Sequence, residues 1–476
     1  MKPRTLLVLL VLVLGLGAFI WFYERKLPSS EERAELEKKV FSLEKGDVTA
    51  VTIDSSKGRV RLERAEPPKP AKKEKKEGEG ESAEVEPAAE WRISRPIAAR
   101  ADTFAVDRLL DAVASLEKSR TLDEVNPRNV GLDKPRATVR LATKDGEKVL
   151  RLGAEVPTGG SLIAGLEGEK GAYVVSDTIL AEIEKEPGEW RDRLMFRGDR
   201  EAVQRIALTG APGGPVVLVR RPNGFWIERP LPDRADRDLV DGLLSDLTGL
   251  TAERFLDGSH PAAELGLAPP RETIEVVFQG VTPPVRIDLG APVTGEAVPE
   301  GQASGELAYA RVGDTVFEVR TRLAESARRA PADWRAVQLS AFEVHDIESA
   351  TVRDDRTSLS LTRAGTDWKR GDTTISYLPV SDLLFAVTGA RADRLLTPQE
   401  SQSRHAGLAK PALTFELRSK DAGSETLILY PPAGEGVPAR ASGRQTVLLL
   451  PADTLKQIQE KLQAVRAAKP VTAEKK

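Results

Sequence analysis

The chain has no cysteine, three histidines and two methionines among its 476 residues. Without cysteine there are no disulfides, no thiolate metal sites, no cysteine-bound iron–sulfur clusters, no cysteine nucleophile and no lipidated N-terminal cysteine. Neither charge sign prevails: 70 Lys and Arg face 73 Asp and Glu, a formal net charge of −3. That balance argues against a nucleic-acid binder working by broad electrostatic attraction. Long apolar runs are also missing, apart from one at the N-terminus. The length exceeds what one hydrophobic core supports and predicts roughly three or four units of about 100 to 200 residues each.

The usual signatures of chemistry are missing too. No helical His-x-x-x-His or Glu-x-x-His pair occurs, and His260, His345 and His405 stand at unrelated places, so a surface or structural role is expected and no metal site is assigned. No Gly-x-Ser-x-Gly elbow or Gly-Lys-Ser/Thr loop is present. The glycine-rich Pro157-Thr158-Gly159-Gly160-Ser161 follows one strand and leads into another, and reads as a hairpin loop. No cofactor is assigned and no catalytic residue.

What is present begins with residues 5–23, TLLVLLVLVLGLGAFIWFY, an uncharged stretch of 19 residues after Lys2 and Arg4. As a helix at 1.5 Å per residue it would cover about 28 Å, close to a bilayer's hydrocarbon thickness. It exceeds a signal-peptide h-region and no small-x-small site follows; Trp21, Phe22 and Tyr23 instead form an interfacial cluster. The expectation is an uncleaved signal-anchor over 1–26, N-terminus cytoplasmic, with the body in the periplasm. Ser29-Ser30-Glu31-Glu32 resembles a capping box opening a helical stalk over 27–39.

Beyond the stalk the chain repeats itself. Trp91, Trp226 and Trp368 recur at intervals of 135 and 142 residues, and a Gly-Leu turn recurs at Gly131, Gly266 and Gly407, 135 and 141 apart. Between these markers lie five apolar positions at offsets 0, 3, 4, 7 and 10: Val106 to Leu116, Val240 to Leu250 and Val380 to Ala390. That spacing makes one face of a helix. Four residues past each stripe stands Arg120, Arg254 or Arg394. The reading is α+β: three tandem copies of a mainly antiparallel sheet unit in the order β-β-β-α-β-β-β-α, over 40–195, 196–338 and 339–468, with a disordered tail at 469–476. In copy one, residues 66–90 add about 20 residues between two strands; this Pro-, Lys- and Glu-rich stretch is expected to be a disordered loop insertion, solvated or touching a partner.

Recurring residues invite two readings each. The three tryptophans suit core anchors, or alternatively an exposed carbohydrate or peptide platform. The three arginines suit helix-end caps paired to carboxylates, or a row reading an anionic surface. Asp233, Asp236, Asp238 and Asp241 surround a helix start, where capping outranks calcium binding.

Several of these segments resemble a bacterial family, the domain of unknown function numbered forty-three-forty: Trp91-Arg-Ile-Ser-Arg-Pro96, the helix with Val106, Leu109 and Leu110, the turn Val130-Gly131-Leu132-Asp133-Lys134-Pro135, and Leu152-Gly153. Copy two repeats them in Phe225-Trp226-Ile227, Leu265-Gly266-Leu267 and Leu289-Gly290, whereas copy three has Tyr430 in place of the strand-end glycine. The resemblance implies a single N-terminal anchor and an extracytoplasmic accessory beside ABC-2-type transporters of the gliding kind, and it brings no catalytic residues. The expected function is therefore a non-enzymatic, inner-membrane-anchored scaffold or accessory of an ABC-type export system or other envelope complex. Its expected partners are the membrane through residues 5–23 and a protein such as an ABC-2 permease, with no nucleic acid. A binding module for an envelope polymer or anionic lipid is the second reading, and an unrecognised hydrolase the third.

Overall fold

The computed structural model describes residues 37–41, 43–65, 91–196, 198–258, 260–279, 283–295, 303, 305–404, 408–434 and 436–471. The expected membrane span, most of the stalk, the insertion at 66–90, His405 and Gly407 lie outside the described residues. Among the described residues no helix is long and apolar enough to cross a membrane. The chain divides into two compact units, Met1–Arg193 and Leu194–Lys476.

The first unit holds one repeat. Its strands are β1 (Val48–Ser55), β2 (Gly58–Arg64), β3 (Trp91–Arg95), β4 (Ala99–Arg100), β5 (Arg120–Leu122), β6 (Ala137–Thr143), β7 (Gly146–Glu155), β8 (Ser161–Leu166) and β9 (Ala172–Ser176). They form one antiparallel sheet in the order β4-β3-β2-β1-β6-β7-β8-β9-β5. Helix α1 (Thr103–Ala114) and the short α2 (Leu180–Ile183) complete it. Asp102 starts α1 by accepting hydrogen bonds from the N–H groups of Phe104 (2.9 Å) and Ala105 (3.2 Å), satisfying donors the helix leaves open.

The second unit holds two further repeats with the same strand order. Repeat two comprises β10 (Val203–Thr209), β11 (Val216–Arg221), β12 (Gly224–Arg229), β13 (Asp233–Arg234), α3 (Arg237–Thr248), β14 (Arg254–Phe255), β15 (Glu272–Phe278), β16 (Val285–Pro292), β17 (Leu307–Val312), β18 (Thr315–Arg320) and α4 (Arg322–Arg328). Repeat three comprises β19 (Ile347–Arg353), β20 (Ser358–Ala364), β21 (Asp367–Arg370), β22 (Thr373–Ile375), α5 (Tyr377–Thr388), β23 (Arg394–Leu395), α6 (Pro398–Arg404), β24 (Leu413–Ser419), β25 (Ser424–Leu429), β26 (Val437–Ala441), β27 (Leu448–Leu450) and α7 (Thr454–Ala467). The molecule is thus α+β, with three repeated antiparallel sheets.

The expected order β-β-β-α-β-β-β-α undercounts each repeat by three strands. A four-residue-or-shorter strand sits on either side of the first helix, too short to display alternation (β4, β5 and their counterparts). The other omission is β8, β17 or β26. In β8 four consecutive residues, Leu162 to Gly165, are buried, so the period-two signal disappears and the segment passes for loop. The hairpin expected at 157–161 is found, joining β7 to β8.

Each repeat has its own core. Val106, Leu109, Leu110 and Val113, with their counterparts in α3 and α5, bury one helix face on the sheet. The fifth position of each stripe, Leu116, Leu250 or Ala390, lies just past the helix and is still buried. There it accepts a backbone hydrogen bond of 2.8 Å from the segment that opens the repeat, donated by Val40, Met195 or Leu339.

The Gly-Leu marker has a steric cause. Gly131 and Gly266 have φ of +73° and +68°, where a side chain is strained. The strand-end glycines Gly153 and Gly290 lie beneath this turn: a Cβ on either would collide with the carbonyl oxygen of Val130 or Leu265. Those two carbonyls accept from Ala154 (2.9 Å) and Ala291 (2.8 Å).

Two sequence readings need correction here. Copy two's Trp226 is not the counterpart of Trp91 and Trp368. Arg64 pairs with Trp91, Arg220 with Phe225 and Arg363 with Trp368, so Phe225 holds the core position. Strand side chains alternate, and a one-residue slip turns Trp226 to the opposite face of its sheet. Part of the expected disordered tail is also ordered: Pro470 bridges Ile375, and Val471 N–H donates to the Thr374 carbonyl at 2.9 Å.

Candidate functional site

The most unusual chemistry among the described residues lies where repeats two and three meet within the second unit. Asp233, on the two-residue strand β13, is fully buried. Its Oδ2 accepts from Arg335 Nε at 2.5 Å and its Oδ1 from Arg444 Nε at 2.6 Å. Arg444, whose side chain is 1% exposed, comes from repeat three and also donates to the carbonyls of Gln338 (3.0 Å) and Ala336 (2.6 Å). Arg335 donates to Thr446 Oγ1 of the same β26–β27 connection. A second pair crosses alongside: Arg234 Nη1 lies 3.7 Å from Glu425 Oε1, and Arg234 Nη2 donates to the Gln338 carbonyl. Glu425 accepts from Ser340 Oγ (2.6 Å) and from Ala341 N–H (3.0 Å).

The expectation that Asp233 caps the following helix is therefore wrong. Asp236 is the cap, accepting from Leu239 N–H at 3.1 Å, and Asp241 pairs with Arg200. Alternation along β13 and its bridge to the Arg335 segment carry Asp233 inward instead.

Three buried guanidinium groups share two buried carboxylates, and the electrostatics follow. Burial, then the neighbouring Arg444 charge, pushes Arg234 down to about 10. Burial likewise lowers Arg444 and raises Glu425 from its ordinary value. Arg234 Nη1 is buried without a hydrogen-bond partner. Breaking such a network by removing one member leaves an uncompensated buried charge, which typically costs about 3–5 kcal/mol. The arrangement fixes the two repeats relative to each other.

Beside this lock opens a cleft of about 1060 Å³, walled by repeat two through Arg220, Phe225 and Asp238 and by repeat three through Phe342, Arg363 and Lys420. Ion pairs such as Arg237–Glu343 cross from one repeat to the other at its edge. His345 stands there, flanked by Glu343 (3.4 Å) and Asp346 (3.3 Å). Among the described residues no group of three or more His, Cys, Asp or Glu side chains could hold a metal ion.

The residues singled out by repetition behave differently. Trp91 and Trp368 lie in their repeat cores, and Trp226 is buried on the other sheet face, where its ring packs so closely over Gly443 of repeat three that a Cβ there would overlap it. None is an exposed platform. Trp226 Nε1 donates to Asn223 Oδ1 at 2.8 Å and Arg221 lies over its ring at 4.7 Å. Arg120, Arg254 and Arg394 each open the short strand after the first helix and are exposed. Their short strands pair with β9, β18 and β27, and two of the side chains meet carboxylates: Arg254 the buried Glu318 of β18, and Arg394 Glu400 of helix α6 at 2.6 Å. Gly131 and Gly266 serve the turn described above, and Gly407 lies outside the described residues.

Sequence reasoning missed a better tryptophan ruler. Pro187-Gly-Glu-Trp190-Arg191 and Pro331-Ala-Asp-Trp334-Arg335 are 144 residues apart, and both tryptophans are fully buried. The Trp190 and Trp334 carbonyls accept from the N–H groups of Asp102 (2.8 Å) and Asp236 (2.7 Å), closing each repeat onto its first helix. Arg335, central to the lock, is the residue directly after this motif.

The sequence matches the family described as "Domain of unknown function (DUF4340)" over residues 91–270 and again over 226–411. The chain belongs to this family. Each DUF4340 match runs from the third strand of one repeat to the Gly-Leu region of the next, so the family's unit straddles a junction between repeats. The second match contains Asp233, Arg234 and Arg335 of the lock, while Glu425 and Arg444 lie beyond it. No curated protein and no solved structure matches the chain.

Proposed function

We propose that this DUF4340 protein is a non-enzymatic scaffold or accessory, held at the bacterial inner membrane by residues 5–23 with its three repeats in the periplasm, and that it serves an ABC-type export system or other envelope complex. The observation that carries this reading is the locked pair of repeats with its broad cleft. A buried charge network spends no surface area on binding, yet it sets the repeats that carry the exposed Arg237, Arg363 and Lys420 around a space large enough for a protein segment. Charged walls with arginines among them suit protein recognition, in which arginine side chains are enriched. The partner in this reading is a membrane protein such as an ABC-2 permease.

The test is site-directed photo-crosslinking in native membranes, with the reactive group at Lys420 and, as a control, at Lys134 of the first repeat. A discrete membrane protein captured from position 420 and absent from position 134 is expected. Capture of abundant bystanders alone, or equal capture from both positions, would overturn the proposal.

A reading as a binder of an anionic polymer or lipid ranks second. It is favoured by the equivalent, exposed placement of Arg120, Arg254 and Arg394, but Glu318 and Glu400 already neutralise two of them.

A further inference from the structure

The face of the repeat-one sheet opposite to Leu62 and Ile93 of its core carries a cluster of arginines on three neighbouring strands. Residues directly opposite in an antiparallel pair share a face. Arg61 of β2 stands opposite Arg95 of β3, and Arg92 of β3 stands opposite Arg100 of β4. A register shift between Arg61 and Leu62 brings Arg92 and Arg95, three residues apart, to the same side. The three strands lie about 4.8 Å apart, and all four arginines are exposed. Two carboxylates attend them: Glu63 accepts from Arg61 Nε at 2.6 Å, and Asp192 lies 3.9 Å from Arg100 Nε. Among the described residues Arg92 and Arg95 have no hydrogen-bonded or ion-paired partner. Like charges directly opposite destabilise a sheet, so two such rungs side by side do nothing for the fold of this repeat. The equivalent rungs are Val217 opposite Arg229 and Trp226 opposite Arg234 in repeat two. In repeat three Lys369 stands opposite Thr374, and Ser360 replaces Arg61. Further along the repeat-one face, Arg59 is matched by Asp54, and Arg140 and Arg151 by Glu167, which is how such a face is ordinarily neutralised.

We infer that Arg61, Arg92, Arg95 and Arg100 form a docking patch for anionic phospholipid headgroups. Guanidinium forks match phosphate oxygens in pairs, and a headgroup layer brings from outside the negative charge that the fold does not supply from within. The chain itself favours the membrane as the source of that charge. Repeat one alone has the patch, and repeat one is the copy next in sequence to the apolar residues 5–23. Its opening segment is bonded into the repeat: the Lys38 carbonyl accepts from Lys118 N–H and Val40 N–H donates to the Leu116 carbonyl, each at 2.8 Å. The fifteen residues from Tyr23 to Lys38 reach about 50 Å at most, so a bilayer holding residues 5–23 keeps this repeat close to its surface. Basic side chains are drawn to an anionic leaflet within a Debye length, and a short tether raises the local concentration of patch and headgroups. That nearness rests on the proposed tether, whereas the affinity of the patch for anionic headgroups does not.

The absence of cysteine makes the test direct. Full-length chain with Ser94→Cys, an exposed position inside the patch, is labelled with a donor dye and reconstituted in vesicles that carry an acceptor on their headgroups. The vesicles are phosphatidylcholine alone or phosphatidylcholine with phosphatidylglycerol. Phosphatidylglycerol should raise energy transfer at position 94 about twofold or more, while a donor at Ser358→Cys, exposed on repeat three, should show no rise. High salt should remove the rise by screening, and the double variant Arg92→Ser/Arg95→Ser should remove it by deleting the charge. These two side chains hold nothing in the fold, so the variant should keep the parent's melting temperature. No rise at position 94, an equal rise at 358, a rise that survives high salt or the double variant, or a protein instead of lipid captured by a photo-crosslinker at 94 in native membranes would each overturn the inference. Flotation reads the tether separately: a chain that does not float with phosphatidylcholine vesicles refutes the anchor, and its transfer on phosphatidylglycerol vesicles still reports on the patch.

Discussion

Single residues decide which face of the second repeat does what. Phe225 and Trp226 are adjacent, yet Phe225 fills the core beneath Arg220, whose guanidinium lies 4.7 Å from the ring centroid, while Trp226 faces Gly443 of the next repeat. Phe225→Ala should cost repeat two about 3 kcal/mol or more through the cavity it leaves. Trp226→Ala should spare that core and loosen the contact with repeat three. Hydrogen exchange separates the two outcomes: faster exchange throughout β10–β12 for the first, and at the β26–β27 connection for the second. Equal effects in both places would contradict the assignment of faces. Repeat spacing singled out Trp226, but pairing register alone says which of the two neighbouring aromatics is the core one.

Among the elements, helices were the most legible in the sequence, because a period of 3.6 survives in any amphipathic stripe. The strands were less so. Those buried on both faces lose alternation, and strands of two or three residues never had it, which is why three per repeat stayed hidden. The last helix, α7, is tied to the sheet at its C-terminal end by polar contacts besides its apolar face, among them Arg466 Nη2 donating to Asp354 Oδ2 at 2.8 Å in the β19–β20 turn. That guanidinium, helped by the N–H groups of Arg356 and Thr357, holds the Asp354 carboxyl well below the usual carboxylate range. A lowered folded-state pKa means the contribution is present above the ordinary value near 3.8 and is lost as pH falls through the folded-state value. Asp354→Asn should therefore be less stable than the parent at pH 7, with the gap narrowing as pH drops below about 4. Thermal melts at a series of pH values check this, and a gap independent of pH would refute the linkage.

At the scale of the molecule, the lock between repeats two and three predicts how the second unit unfolds. With Asp233 in place, repeats two and three should melt together. Asp233→Ala strands the charges of Arg335 and Arg444 in a buried site and should lower stability by about 3–5 kcal/mol. Calorimetry should then resolve two transitions for this unit where the parent has one; a single transition in the variant would mean the network is not what couples the repeats.

The sequence by itself determined that the chain is built of three copies of one α+β unit, that each copy is organised around an amphipathic helix and a glycine-bound turn, and that thiol chemistry is excluded. Those features are local or periodic, and periodicity can be read from a string. The lock and its cleft could not be read there. Asp233 and Arg444 are 211 residues apart, occupy different places in their repeats, and Asp233 lies among three other aspartates that look alike in sequence. The repeat rulers could not flag a contact that joins non-equivalent positions. Only the packing of one repeat on the next removes water from that one carboxylate, and this desolvation, a property of tertiary structure, turns an ordinary acidic residue into the centre of a junction.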